Sequence, residues 1–364
     1  MRSGEIVVVK IGSSVLAPGG RMDHTRLIGI AEQIALAKDT GFHVVLVSSG
    51  AIAAGFRDLG LEEMPSSIVM RQAAAAAGQT RLMNAWAAAM EPHDLRPAQV
   101  LLTADLLEKR DQFLNTRRQL ELLLSVGVVP VINENDSVSF ADTRFGDNDR
   151  LGALVASLLD AEHLVILSVV DGLLDENGEV LEEVTDHAAA RALVSDDRSG
   201  TGVGGMGVKI SAAALAADAG VSVSISSGLR QGFLEDLLAG KNIGTRFGRS
   251  GGKSARKRWI GHARTAQGTV VVDAGAKQAL VNDGASLLPA GVVGVRGDFG
   301  VGAAVDVCVA DGEPFARGLA AYSSADIRKI AGLKSDRIEQ VLGVVYTEEV
   351  IHRDDLHVSG EDAR

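Results

Sequence analysis

Six short runs rich in β-branched residues, Ile6 to Ile11, His43 to Ser48, Ala98 to Thr103, Val128 to Asn133, His163 to Val169 and Val221 to Ser226, are apolar at consecutive rather than alternate positions. A strand with one wet face alternates, so these strands are expected to be buried on both faces, as in a parallel sheet covered by helices. Segments rich in alanine and leucine lie between them, among them Thr25 to Lys38, Ala104 to Ser125 and Met206 to Ala219. Strand and helix in alternation predict a doubly wound α/β domain with a mainly parallel sheet.

The pattern changes at Arg246 to Arg258, where Gly, Ser and basic residues replace the apolar periodicity. We read residues 1–245 as the first domain, 246–258 as a linker, 259–350 as a smaller second domain and 351–364 as a C-terminal tail. Shorter strand-like runs in the second domain, Thr269 to Asp273, Val292 to Val295, Val305 to Val309 and Gly343 to Tyr346, are spaced by Gly and Asp turns and predict a mostly β fold. The start, MRSGEIVVVK, is too short in its apolar run for a signal peptide, and the alanine-rich Ala73 to Ala89 is interrupted by Gln79, Thr80, Arg81 and Asn84. A cytoplasmic protein without a membrane partner is the expectation. The single Cys308, inside an apolar run, excludes an internal disulfide framework and reads as a core residue. A net charge of -11 argues against nucleic-acid binding by bulk electrostatics and requires a local cation cluster for any anionic ligand.

Ligands of open α/β sheets sit beyond the carboxyl ends of the strands. Those ends carry Lys10-Ile-Gly-Ser-Ser14, Ser48-Ser-Gly-Ala51 and Asn133-Glu-Asn-Asp136; Gly146-Asp-Asn-Asp149 precedes a helix, and GTGVGGMGVK, Gly200 to Lys209, opens another. Glycine-rich turns at helix starts bring backbone N–H groups and the positive end of the helix dipole to a phosphate. Any one of these lysines or Asn and Asp residues alone reads equally as a solvated edge or a cap; their recurrence at successive strand ends points to a site. Gly200 to Gly205 matches G-x-G-x-x-G without a preceding strand, and Gly252-Lys-Ser254 resembles the end of a Walker A loop with Phe247 where its first glycine belongs. Neither supports a dinucleotide fold or a P-loop.

VVVKIGSSVL, VVLVSSGAIAAG, VVPVINENDSV, RFGDNDRLGALVA and GGMGVK, in this order, resemble the amino acid kinase family, and among its members those that phosphorylate glutamate. RKRWI, VDAGA, SLLPAGV and IHRDDL resemble the small PUA domain that follows the kinase domain in many bacterial members. The resemblance implies a three-layer sandwich followed by a mostly β PUA-like domain. It also implies transfer of a phosphoryl group from Mg2+-ATP to the γ-carboxylate of L-glutamate, the first step of proline synthesis, with proline as feedback inhibitor and a homo-oligomer, dimer or tetramer. By the same resemblance Lys10 and Lys209 contact the ATP phosphates and Asp149 holds the two lysines in register. Ser49, Gly50, Asp136 and Asn148 bind glutamate, and Gly12, Ser168, Val169, Gly204, Gly205 and Met206 line the nucleotide. No protein ligand for a metal is implied.

The chemistry is self-consistent. A glutamate side chain, with a pKa of about 4.3, is already an anionic nucleophile at neutral pH and needs no general base. The reaction needs charge compensation, which two lysines, backbone amides and Mg2+ supply. Asp136 is open to the substrate α-ammonium, which N-acetylglutamate lacks. The chain departs from the family at Val169, where an Asp is common, at Leu174 for Tyr, and at Val203 and Val208 for Thr or Ser, which removes polar contacts to the nucleotide. Two alternatives stand beside this reading: another kinase acting on a carboxylate, and an RNA-binding protein using the PUA-like domain with the basic cluster Arg256, Lys257 and Arg258.

Overall fold

The computed structural model describes residues 4–103, 107, 110–138, 148–175, 177–185, 205–249, 266–310, 312–343, 345 and 347–358. The chain divides into two compact units, Met1–Gly251 and Gly252–Arg364.

The first unit is built on eight strands: β1 (Ile6–Ile11), β2 (His43–Ser48), β3 (Arg96–Leu102), β4 (Val128–Glu134), β5 (His163–Ser168), β6 (Glu183–Val184), β7 (Ser222–Ser227) and β8 (Thr245–Phe247). They lie in the order β3-β4-β2-β1-β5-β7-β8-β6. The six strands from β3 to β7 in that order pair in parallel, whereas β8 runs antiparallel to β7. The helices are α1 (Ser13–Leu16), α2 (His24–Asp39), α3 (Ala51–Gly55), α4 (Ile68–Met90), α5 (Arg110–Ser125), α6 (Asn148–Leu158), α7 (Met206–Asp218) and α8 (Phe233–Leu238).

Both sheet faces are covered, which is why the strands lack alternation. Val7, Val9 and Ile11 of β1 pack with Leu27, Ile30 and Ile34 of α2, Leu82 and Trp86 of α4 and Phe233 of α8. Val8 points the other way, into a core with Leu120 of α5, Leu151 and Val155 of α6 and Ile210 of α7. The two-residue period therefore sends Lys10 to the face of α6 and α7. The chain leaves β1 toward β2 on one side and later returns to β5 on the other, so a crevice opens between the carboxyl ends of β1 and β5, where Gly12 N–H donates to Leu167 O at 3.1 Å.

The second unit carries β9 (Gly268–Val272), β10 (Val292–Arg296), β11 (Ala304–Val309), β12 (Ala316–Leu319) and β13 (Leu356–Val358), in the order β10-β9-β11-β12-β13, with helices α9 (Ala274–Asn282), α10 (Ser324–Ile330) and α11 (Ile338–Leu342). It has its own core around Val270, Val305, Tyr322 and Ile327. Cys308 of β11 is a buried free thiol.

Three expectations need adjusting. Thr245–Phe247, at the junction of first domain and linker, is a strand of the first sheet, and Phe247 is fully buried. Leu356–Val358, read as tail, pairs with β12. The run from Gly343 is not a strand at its described positions: Gly343 ends α11 in the left-handed region with φ 72. The stretches 200–204 and 250–258, which hold Val203, Gly204, the Walker-like Gly252-Lys-Ser254 and the basic Arg256 to Arg258, lie outside the described residues, as does the end of the tail. Among the described residues no helix is long and apolar enough to cross a membrane.

Candidate active site

The carboxyl edge of the sheet gathers three charges. Lys10, the fifth residue of β1, reaches Asp149 in the first turn of α6, with Nζ 2.5 Å from Oδ1. Lys209, in the first turn of α7, approaches the other carboxylate oxygen, Nζ to Oδ2 being 3.4 Å. All three side chains are buried, at 4 %, 3 % and 8 % exposure for Lys10, Asp149 and Lys209. Burial alone would raise the Asp149 pKa; the ammonium groups of Lys10 and Lys209 outweigh it and hold the carboxyl below its usual range. Two ammoniums against one carboxylate leave the trio with a formal charge of +1 in a site of low dielectric, which favours an incoming anion.

Local structure explains the convergence. Gly152 lies one turn after Asp149 on α6, and a Cβ there would stand 3.2 Å from Lys10 Cβ, so the helix seats directly on the lysine stem. Gly205 is the N-cap of α7, its carbonyl accepting from Val208 N–H at 3.1 Å and Lys209 N–H at 3.4 Å, so the positive end of this helix starts beside Lys209. Gly12 follows β1 and caps α1 through its carbonyl.

A second group of polar residues occupies the ends of β2 and β4. Asn148, 4 % exposed, donates from Nδ2 to Ser49 Oγ at 2.9 Å and to Asn133 Oδ1 at 3.0 Å. Ser49 is presented by a turn whose next residue, Gly50, has φ 115, a backbone state that a side chain would strain. The turn is anchored from behind by buried Trp86, whose Nε1 donates to Ser48 Oγ at 2.8 Å. It is further fixed where α3 crosses α4, since a side chain at Gly55 or Gly78 would overlap the other helix's backbone. Asp136, just beyond β4, is 8 % exposed. Burial pushes its pKa up to about 6, against the downward pull of Arg71.

The structure thus joins Lys10, Asp149 and Lys209 by direct contact, and Ser49 and Asn148 by a hydrogen bond. Ser168 ends β5 half-buried, and Val169 and Val170 just beyond it are exposed, so this strand end is apolar; Leu174, also exposed, bridges to Val180. Met206 is partly buried against the core of the second face. Asn133 and Gln79 belong to the polar group and were not singled out from sequence. Asn133 is the first residue of the Asn-Glu-Asn-Asp motif, and Gln79 is one of three side-chain amides, with Gln72 and Asn84, on the alanine-rich α4.

Residues 5–227 match the model of the amino acid kinase family, and residues 268–342 match that of the PUA domain. A glutamate 5-kinase of Myxococcus xanthus is 46% identical over 98% of this chain and 97% of its own length. One of Geobacter sulfurreducens is 44% identical over 98% of this chain and 100% of its own. The carbamate kinase of Giardia, 20% identical, superposes with a TM-score of 0.50 over 68% of this chain and all of its own, a likeness of fold. With the family model matched over residues 5–227 and the two bacterial kinases matched over nearly the full chain, the chain belongs to the amino acid kinase family, in the group that carries a C-terminal PUA domain.

Proposed function

We propose that the protein transfers the terminal phosphoryl group of ATP to the γ-carboxylate of L-glutamate, giving L-glutamyl 5-phosphate and ADP, the first step of proline biosynthesis. The observation that carries this reading is the buried Lys10–Asp149–Lys209 trio beside the Ser49–Asn148 pair at one sheet edge.

Roles follow from charge and reach. Lys10 and Lys209 stabilise the negative charge spread over the phosphoryl oxygens in flight, and Asp149, holding both ammoniums by opposite oxygens, spaces them. No base is required, since the acceptor carboxylate is ionised at neutral pH. Ser49, Gly50, Asn148 and Asp136 receive the amino-acid end, Asp136 pairing with the α-ammonium. The nucleotide lies along Gly12, Ser168, Gly205 and Met206, with the apolar Val169 and Leu174 against its base in place of polar contacts. Both Asp149 oxygens are engaged by lysines, so Mg2+ brought in with ATP would be held by the nucleotide and would supply charge neutralisation for the leaving group. Proline as feedback inhibitor, a homo-oligomeric assembly and a cytoplasmic setting complete the proposal on family resemblance.

The test offers glutamate, aspartate and N-acetylglutamate in parallel with Mg2+-ATP, and hydroxylamine to trap an acyl phosphate. Hydroxamate formed with glutamate, at least tenfold above aspartate, is the expected result, in line with the roughly 1 to 3 kcal/mol available from one methylene. Turnover of N-acetylglutamate instead would overturn the substrate assignment.

A further inference from the structure

Four side-chain amides form one continuous hydrogen-bonded chain from the surface of the sheet to the substrate end of the site. Gln79 Nε2 donates to Gln99 Oε1 at 3.2 Å, Asn133 Nδ2 donates to Gln79 Oε1 at 2.8 Å, and Asn148 Nδ2 donates to Asn133 Oδ1 at 3.0 Å and to Ser49 Oγ at 2.9 Å.

A side-chain amide can in principle be turned end for end, but this chain has a fixed polarity. The backbone N–H of Glu134 can only donate, and it does so to Asn133 Oδ1 at 2.9 Å and to Asn148 Oδ1 at 3.3 Å. Both asparagines must therefore face it with oxygen, which sends the Asn133 amide hydrogens toward Gln79. Gln79 must in turn meet Asn133 with its oxygen and present its own nitrogen to Gln99. The register of α4 is also fixed: Gly78, beside Gln79, is pressed against the backbone at Ala51.

One consequence is chemical. Both hydrogens on Asn148 Nδ2 are used within the chain, so what Asn148 retains for a ligand is acceptor capacity on Oδ1. Ser49 Oγ already accepts from Asn148, which leaves its hydroxyl hydrogen to be donated. Asn148 thus suits an ammonium group and Ser49 a carboxylate, the two ends of an α-amino acid.

We propose that Gln79, through its Oε1 on Asn133, is a positioning residue that holds Asn148 and Ser49 in this donor and acceptor arrangement and so sets the affinity of the site for a free α-amino acid. The proposal rests on the glutamate reading above. Asn133 is 2 % exposed, so depriving its amide of the Gln79 oxygen leaves a buried donor that can be satisfied only by turning or shifting, and Asn148 follows.

The experiment measures glutamate binding by calorimetry and steady-state kinetics on the full chain with Gln79→Leu, Gln79→Glu and Gln99→Leu. Gln79→Leu should raise the Kd and KM for glutamate about tenfold, with the KM for ATP and the melting temperature near wild type. Gln79→Glu keeps an acceptor for Asn133 and should restore most of the affinity; Gln99→Leu, at the wet end, should change it by less than about threefold. Equal affinity in Gln79→Leu, or a parallel loss for ATP and glutamate with a lowered melting temperature, overturns the role of Gln79 alone. A wild-type protein that neither binds nor phosphorylates glutamate overturns the functional reading, and this inference with it.

Discussion

Lys10 Nζ and Asp149 Oδ1 lie 2.5 Å apart with both side chains almost fully withdrawn from water. Removing one member of a buried pair strands the other, and here it strands two ammoniums. Asp149→Asn should lower folding stability by about 3 kcal/mol and reduce kcat by at least about a hundredfold. Chemical denaturation and initial rates check both numbers; a variant with wild-type stability would show that the lysines find other compensation.

Lys209 sits farther from the carboxylate, at 3.4 Å, and the role proposed for it is to meet charge that develops during transfer. Lys209→Ala should depress kcat by about a hundredfold to a thousandfold while the KM for glutamate changes little. An unchanged kcat with a raised KM for ATP would make Lys209 a ground-state nucleotide contact instead.

The role proposed for Asp136 predicts an acid limb in the pH profile of the reaction. Its pKa is raised by burial from 3.8 to about 6, so below about pH 6 the free enzyme carries a neutral acid where the proposed pairing with the substrate ammonium calls for a carboxylate. The pH profile of kcat/KM for glutamate should fall about tenfold per unit below that point. Asp136→Asn should lower kcat/KM throughout and abolish the limb. The sign for stability is opposite: a raised carboxyl pKa means the folded state holds the proton more tightly, so this residue favours folding at low pH and opposes it as pH rises through about 6.

His163, at the far end of β5, is buried with Nε2 2.9 Å from Ser224 Oγ. Burial, aided by Arg249 and Arg246, pushes its pKa from 6.5 down to about 3. The folded chain stays neutral there while the unfolded chain takes up a proton, so stability falls by about 1.4 kcal/mol per unit as pH drops below about 6.5. His163→Gln should flatten melting temperature against pH between 4 and 6 relative to wild type.

Gly152→Ala sets two effects against each other. Alanine gains about 1 kcal/mol in a helix interior, whereas the new methyl meets Lys10 Cβ at 3.2 Å and Cγ at 3.4 Å, a contact relieved by a few tenths of an ångström. The propensity gain should win: the melting temperature rises by about 2 to 4 °C and kcat stays within about threefold. A fall in both would mean that α6 cannot yield without carrying Asp149 off Lys10.

The central sheet was legible because Val7, Val8 and Val9 are apolar in succession and burial on both faces is the one simple way to satisfy them. The site was legible in part for the same reason, since strand ends are where such a sheet binds ligands. Position ten on β1 shares a face with Val8, yet which helix covers that face depends on a crossover more than a hundred residues away, and the contact of Lys10 with Asp149 came from resemblance. Gln79 was passed over because its value depends on Asn133 across the fold; in the helix alone it interrupts alanines. β12 and β13 are too short to announce themselves and exist through their neighbours, while Gly343 carries a helix-end signal that the adjacent valines outweighed.

Lys209 and Asp149 are sixty residues apart along the chain, and Lys10 comes from near the other end of the unit. Closing those loops is entropically unfavourable until the parallel strands between them have paired. A refolding chain should therefore gain helix signal early and remain catalytically silent until the whole sheet is assembled, which makes phosphoryl transfer a readout of complete folding and leaves no room for a partly active fragment.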